Sequence, residues 1–111
     1  MSEEKPTKPA EIFASMPAGM NAEKAQGINA TFQFELEGPD GGQWAVQITD
    51  GRCSVMEGVA DQPTVTIKMS DKDFVALAVG QLQATPAFLM GKIRVYGDYV
   101  LATKLPVLFE D

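Results

Sequence analysis

Between Ile28 and Glu37 the chain alternates without a break. Ile28, Ala30, Phe32, Phe34 and Leu36 are apolar, and Asn29, Thr31, Gln33, Glu35 and Glu37 are polar. A β-strand sends successive side chains to opposite faces, so this pattern builds a strand with one dry face and one wet face. Such a strand needs neighbours to pair with and a second layer over its dry face. The following residues supply the neighbours. Gly38-Pro-Asp-Gly-Gly42 has the composition of a hairpin loop. Trp44, Val46 and Ile48 then alternate with Ala45, Gln47 and Thr49. Asp50-Gly51 marks a tight turn of the primed type, and a weaker strand runs from Arg52 to Glu57. Three consecutive strands joined by short loops make an antiparallel meander.

The covering layer is written on either side of the meander. Pro9 to Met16 predicts a short helix with proline in its first turn, placing Ile12, Phe13 and Met16 on one face. Pro17 and Gly19 are expected to end it. Asn21 is placed to cap a second helical piece, Ala22–Gln26, closed by Gly27. Residues 1–8 read as a flexible tail and residues 9–111 as one domain. After the loop from Gly58 to Pro63, Thr64 to Met69 predicts a fourth strand. Ser70 reads as a helix N-cap with Asp73 three residues on, Phe74, Leu77 and Ala78 as the buried stripe, and Gly80 as the stop. Asp71 and Asp73 suit the positive end of that helix. Thr85-Pro86 begins a short helical turn. Lys92 to Tyr96 predicts a fifth strand, and Asp98 caps a last helix from Tyr99 to about Lys104, limited by Pro106. A crossover carrying a helix commonly joins parallel neighbours, which is the expectation for strands four and five. The fold class is α+β: a five-stranded, mostly antiparallel sheet with helices packed on one face.

Composition removes several function classes. The 111 residues contain no histidine and one cysteine, Cys53. That leaves no imidazole base, no cysteine cluster for zinc and no intramolecular disulfide. We expect no catalytic residue, no metal and no cofactor. The net charge is −6 and the nine cations are scattered, which argues against nucleic acid as a partner. No stretch reaches the roughly 20 apolar residues of a membrane span, and the polar N-terminus lacks a signal peptide's apolar segment. The C-terminus is not a peroxisomal address. A cytoplasmic location is expected.

Three blocks, in order, resemble the sterol carrier protein type 2 family of small lipid-binding domains. They are Val65-Thr-Ile-Lys-Met-Ser-Asp-Lys-Asp-Phe74, then Gly80 with Ala87-Phe-Leu-Met-Gly-Lys-Ile-Arg-Val-Tyr-Gly97, then Leu101-Ala-Thr-Lys-Leu105. The resemblance covers roughly residues 27–108. It implies an apolar tunnel between the dry face and the helices, and non-enzymatic binding and intracellular transfer of fatty acid, fatty acyl-CoA, sterol or phospholipid. The implied partners are the lipid or acyl-CoA itself and transient contact with membranes or lipid-using enzymes. Gln83-Ala84-Thr85 replaces the family's usual Asn-Pro-Gln, and Met90 a common Gln. These departures near the cavity favour an acyl chain over a sterol. The other reading is an interaction or accessory module of the same fold in a lipid or isoprenoid pathway, without a bound lipid.

The candidate ligand-binding residues are Phe32, Phe34, Trp44, Ile67, Phe74, Leu77, Phe88, Met90, Leu101, Leu105 and Leu108. Each could equally fill a core; Met90, Leu105 and Leu108 stand out because they fall on the Thr85–Met90 loop and the terminal arm, the expected gate. Lys92, Arg94 and Lys104 are candidates for a carboxylate or phosphate head group, or for a solvated face. Ser70, Asp71 and Asp73 suit helix capping better than acid–base chemistry. The glycine-rich loop at Gly38 lacks the lysine and serine of a phosphate-binding loop.

Overall fold

The alternating segment becomes the middle strand of the sheet. The computed structural model describes residues 7–109, in the chain order α1 (Pro9–Gly19), β1 (Asn29–Glu37), β2 (Gly42–Thr49), β3 (Arg52–Glu57), β4 (Val65–Ser70), α2 (Asp71–Ala78), α3 (Ala84–Leu89), β5 (Arg94–Gly97) and α4 (Tyr99–Leu108). The five strands lie in the order β3-β2-β1-β4-β5. Register fixes the dry face: Phe34 lies opposite Trp44 on one side and Ile67 on the other, and Ile67 in turn opposite Val95. The fold is α+β with one parallel pair in an otherwise antiparallel sheet.

That parallel pair is β1 with β4, not β4 with β5. A single returning helix would have set β5 parallel to β4. Here α3 follows α2, and β5 begins with Arg94 opposite Lys68, beside the end of β4. The chain therefore re-enters the sheet antiparallel. Strand β3 is an edge strand, so the link to β4 must pass across β2 and β1. It does so over the wet face and is held there by Gln33. The Gln33 side chain is 1% exposed. Its Nε2 donates to the carbonyls of Gly58 (3.0 Å) and Trp44 (3.3 Å), and its Oε1 accepts from Ala60 N (2.7 Å). A residue that reads as solvent-facing by alternation is thus buried by the crossover loop.

Local chemistry explains most element ends. Asp50 (φ 47°) and Gly51 (φ 81°) both adopt positive φ, as a primed hairpin turn requires. Ser70 Oγ accepts from Asp73 N at 3.0 Å and starts α2. The Asp71 side chain is buried and accepts from Lys72 N (2.8 Å) and from Asp40 N (2.9 Å), tying α2 to the β1–β2 hairpin. Asp98 Oδ1 accepts from Leu101 N at 3.1 Å and caps α4.

Two helices run past the prolines expected to stop them. Helix α1 continues through Pro17 to Gly19, its last turn closed by Met20 N donating to Met16 O at 3.1 Å. Helix α4 continues through Pro106 to Leu108. In both, burial of apolar side chains outweighs the missing proline N–H: Phe13 and Leu108 are each 1% exposed, and Asn21 N donates to Leu108 O at 2.7 Å. The piece Ala22–Gln26 forms hydrogen-bonded turns rather than a helix, although Asn21 Oδ1 does accept from Lys24 N. Most of the expected tail, residues 1–6, lies outside the described residues, as do Glu110 and Asp111. Thr7 and Lys8 are described, and both donate backbone N–H to Glu11 Oε1 at the start of α1.

A candidate ligand cavity

The helices do not close on the sheet. Phe13, projecting from α1, stacks between Trp44 (ring centroids 4.6 Å apart) and Phe74 (4.7 Å) and meets Phe34 edge-on at 5.3 Å. This aromatic cluster fills one end of the space under the helices. Beyond it remains a cavity of about 870 Å³, inside the range of roughly 300–1,000 Å³ common for small-molecule sites.

The floor and the walls come from different elements. Phe34, Ile67 and Met69 rise from the sheet, Phe74 and Leu77 from α2, Phe88 from α3, and Leu105 from α4. The water-exposed parts of the wall belong to α1 (Ser15, Gly19), the end of α2 (Ala78), α3 and the residue before it (Gln83, Thr85, Pro86, Leu89) and α4 (Tyr99, Thr103, Pro106), so the opening lies among the four helices. No Asp, Glu, Lys or Arg lines it among the described residues. Ser15 Oγ donates to Ile12 O and Thr103 Oγ1 to Val100 O, so these hydroxyls are turned back onto their own helices.

Of the residues singled out in the sequence, Phe34, Ile67, Phe74, Leu77, Phe88 and Leu105 are brought together on this wall. Phe32 and Trp44 belong to the packed core, the latter covered by Phe13. Leu101 packs against the core from α4, and Leu108 is buried at its end. Met90 is 69% exposed at the end of α3 and is not on the wall. The expected loop Thr85–Met90 is helical through Leu89. Ile12, Met16, Ile93, Val95 and Phe109 line the cavity without having been singled out for it. For Ile12 and Met16 the signal was present in the shared helical face. For Ile93 and Val95 it was strand parity with Ile67.

Residues 11–110 match the model of the SCP-2 sterol transfer family. The chain belongs to that family. Hydroxysteroid dehydrogenase-like protein 2 of Rattus norvegicus is 34% identical over 99 residues, which are 88% of this chain and 19% of that protein. This SCP-2 family chain thus spans about a fifth of that curated relative. Palmitated SCP2L2 from Aedes aegypti superposes with a TM-score of 0.75 at 25% identity, covering 92% of this chain and 91% of that one. The sec-alkylsulfatase Pisa1 from Pseudomonas sp. contains the same fold, with a TM-score of 0.83 at 19% identity over 94% of this chain and 16% of its own.

The polar candidates of this SCP-2 family chain are spread out. Arg94 has the parity of Lys68 on β4, so it points to the face opposite the cavity, where it pairs with Glu37 at 3.1 Å. Lys68 pairs there with Glu35 at 3.4 Å and lies over the Tyr96 ring. Lys92 is exposed just after α3, and Lys104 is exposed on α4 beside the wall residue Thr103. Cys53 is half-buried in β3, away from the cavity wall, and burial pushes its thiol up from the ordinary 9.0. No group of three or more His, Cys, Asp or Glu that could hold a metal occurs among the described residues. Nor is any helix among them long and apolar enough to cross a membrane.

Proposed function

We propose that this chain is a cytoplasmic, non-enzymatic lipid carrier that holds an acyl chain in the cavity and exchanges it with membranes or lipid-using enzymes. The observation that carries this reading is a cavity of about 870 Å³ with no charged side chain on its described wall, in a member of the SCP-2 sterol transfer family. Each buried CH₂ contributes about 0.8 kcal/mol. A chain of about 16 carbons therefore gains roughly 10 kcal/mol, from which lost motion takes back several. Micromolar binding follows without any catalytic group. The palmitate of the Aedes aegypti relative supports a ligand of this kind.

Charge decides the orientation. A carboxylate or phosphate placed deep among these side chains would have no cation to meet. The fatty acid or acyl-CoA head group therefore stays at the opening, where α4 also carries the exposed Lys104. The apolar wall is Phe34, Ile67, Phe74, Leu77, Phe88 and Leu105. Absence of histidine and a thiol pushed away from its reactive thiolate support the non-enzymatic reading. An accessory module without lipid would be expected to fill this space with side chains, so the open volume favours a container.

Native mass spectrometry of freshly purified protein, followed by lipid extraction, tests the proposal. A bound acyl lipid at near-unit ratio supports it. An apo mass that persists on titration with fatty acid and acyl-CoA overturns it in favour of the accessory module.

A further inference from the structure

Five of the eight large apolar side chains that stand exposed among the described residues gather on α3 and α4. Leu89 is 77% exposed, Met90 69% and Val100 61%, and Tyr99 and Val107 join them. The Phe88 ring meets the Tyr99 ring at 5.3 Å, which fastens the end of α3 to the start of α4. Val100, Lys104 and Val107 recur at helical spacing along the exposed side of α4. The patch is therefore one surface, and Leu89 and Tyr99 also belong to the cavity wall, so it forms the lip of the opening.

Charge singles out the same surface. Between Phe74 and Phe109 the sequence has one carboxylate, Asp98, and three cations, Lys92, Arg94 and Lys104, in a chain whose net charge is −6. Arg94 is engaged by Glu37 on the far face, and Asp98 is engaged in capping α4. Lys92 and Lys104 form no ion pair with a described residue and flank the apolar lip. Apolar side chains bordered by lysines, at the mouth of an uncharged cavity, are locally complementary to an anionic lipid surface, where the apolar groups enter the interface and the lysines meet phosphates.

We infer that the α3–α4 lip docks on anionic bilayers, with Leu89, Met90 and Val100 entering the interface and Lys92 and Lys104 against lipid phosphates, so that the cavity opens toward the membrane. This rests on the carrier reading and adds the surface, its orientation and the lipid charge it selects. Each lysine contributes about fivefold in affinity for an anionic surface, and salt weakens the contribution.

The test is co-sedimentation of the full chain with vesicles of phosphatidylcholine alone and of equimolar phosphatidylcholine and phosphatidylglycerol. Wild type is expected to sediment with the mixed vesicles, to do so poorly with the neutral ones, and to be released by about 1 M salt, where the Debye length is about 3 Å. Lys92→Glu reverses a charge and should weaken binding roughly 25-fold. Val100→Glu alters only the lip and should weaken it more than about tenfold. Uptake of a fluorescent fatty acid in vesicle-free solution, with the thermal melt, is measured in parallel. Val100→Glu should retain both, which shows that the fold and the cavity are intact. Fatty-acid uptake without vesicle binding, equal binding to neutral vesicles, or unchanged binding by both variants would overturn the docking face while leaving the carrier standing. A dimer that Val100→Glu dissolves, without vesicle binding, would assign the lip to a second copy and overturn it equally. Loss of fatty-acid uptake in wild type would instead sink the carrier reading itself.

Discussion

Gln33 shows how much one side chain can hold. Its amide satisfies the Gly58 carbonyl and the Ala60 N–H that the β3–β4 crossover brings over the sheet, and the Trp44 carbonyl of β2. Removing it leaves those groups buried and unpaired, at about 1–3 kcal/mol for each loss that water cannot repair. Gln33→Ala should therefore cost about 2–3 kcal/mol in urea unfolding. Gln33→Glu removes the donor and points a carboxylate at carbonyl oxygens. Its deficit should grow as pH rises past the ordinary glutamate value of about 4.3. A deficit independent of pH would show that the side chain swings out to water. Gly97 is a second such position. At φ 101° an added Cβ would lie 2.6 Å from Thr64 O, so Gly97→Ala must displace β4 or β5.

Glu11 illustrates a charge fixed by local geometry. Hydrogen bonding from the Thr7 backbone, opposed by slight desolvation and reinforced by the Thr7 hydroxyl and the Lys8 N–H, lowers its carboxyl below the ordinary 4.5. A depressed folded value means the stabilisation is present above pH 4.5 and disappears as pH falls through the folded value. Acidification below that point should loosen the start of α1, detectable as lower amide protection factors near its N-terminus. Glu11→Gln should show the same protection factors on both sides of the transition.

At the scale of elements, α4 is the informative case. Its sequence has a good cap in Asp98 and a breaker in Pro106, yet the helix reaches Leu108 because the far end is buried. Leu105 faces the cavity from this helix. Leu105→Arg would put a charge against an uncharged wall and should reduce fatty-acid affinity at least about tenfold. Unchanged affinity in a folded variant would place the cargo elsewhere. Helix α2 depends on local chemistry instead. Ser70→Ala removes the one side-chain acceptor at its N-cap and should lower stability by about 1 kcal/mol, read from chemical denaturation, without changing lipid uptake.

For the whole molecule, the layers are held apart by their own ends. Phe13, Trp44 and Phe74 stack at one end, and the opening lies among the four helices. A cavity of about 870 Å³ forgoes packing that a filled core would gain. Ala102→Phe, on the wall at α4, should raise the melting temperature of the lipid-free protein and weaken lipid uptake by more than about tenfold, as calorimetry and titration would show. A rise in stability with full affinity would separate the cavity from the cargo.

The sequence by itself determined the strands, the caps and the dry face, because alternation, Ser70, Asp98 and Asp50-Gly51 act through residues within a few positions of one another. The family blocks made the α+β class legible for the same reason: each block is contiguous. Only the tertiary structure decided which apolar residues pack and which line space. Trp44 and Phe34 share one face of the sheet, and what separates them is Phe13, which arrives from α1 to cover Trp44. The fate of Gln33, the course of two helices through proline and the parallel partner of β4 were decided in the same way. Each depends on a long-range contact whose burial free energy exceeds the local preference, and such contacts leave no periodic mark along the chain.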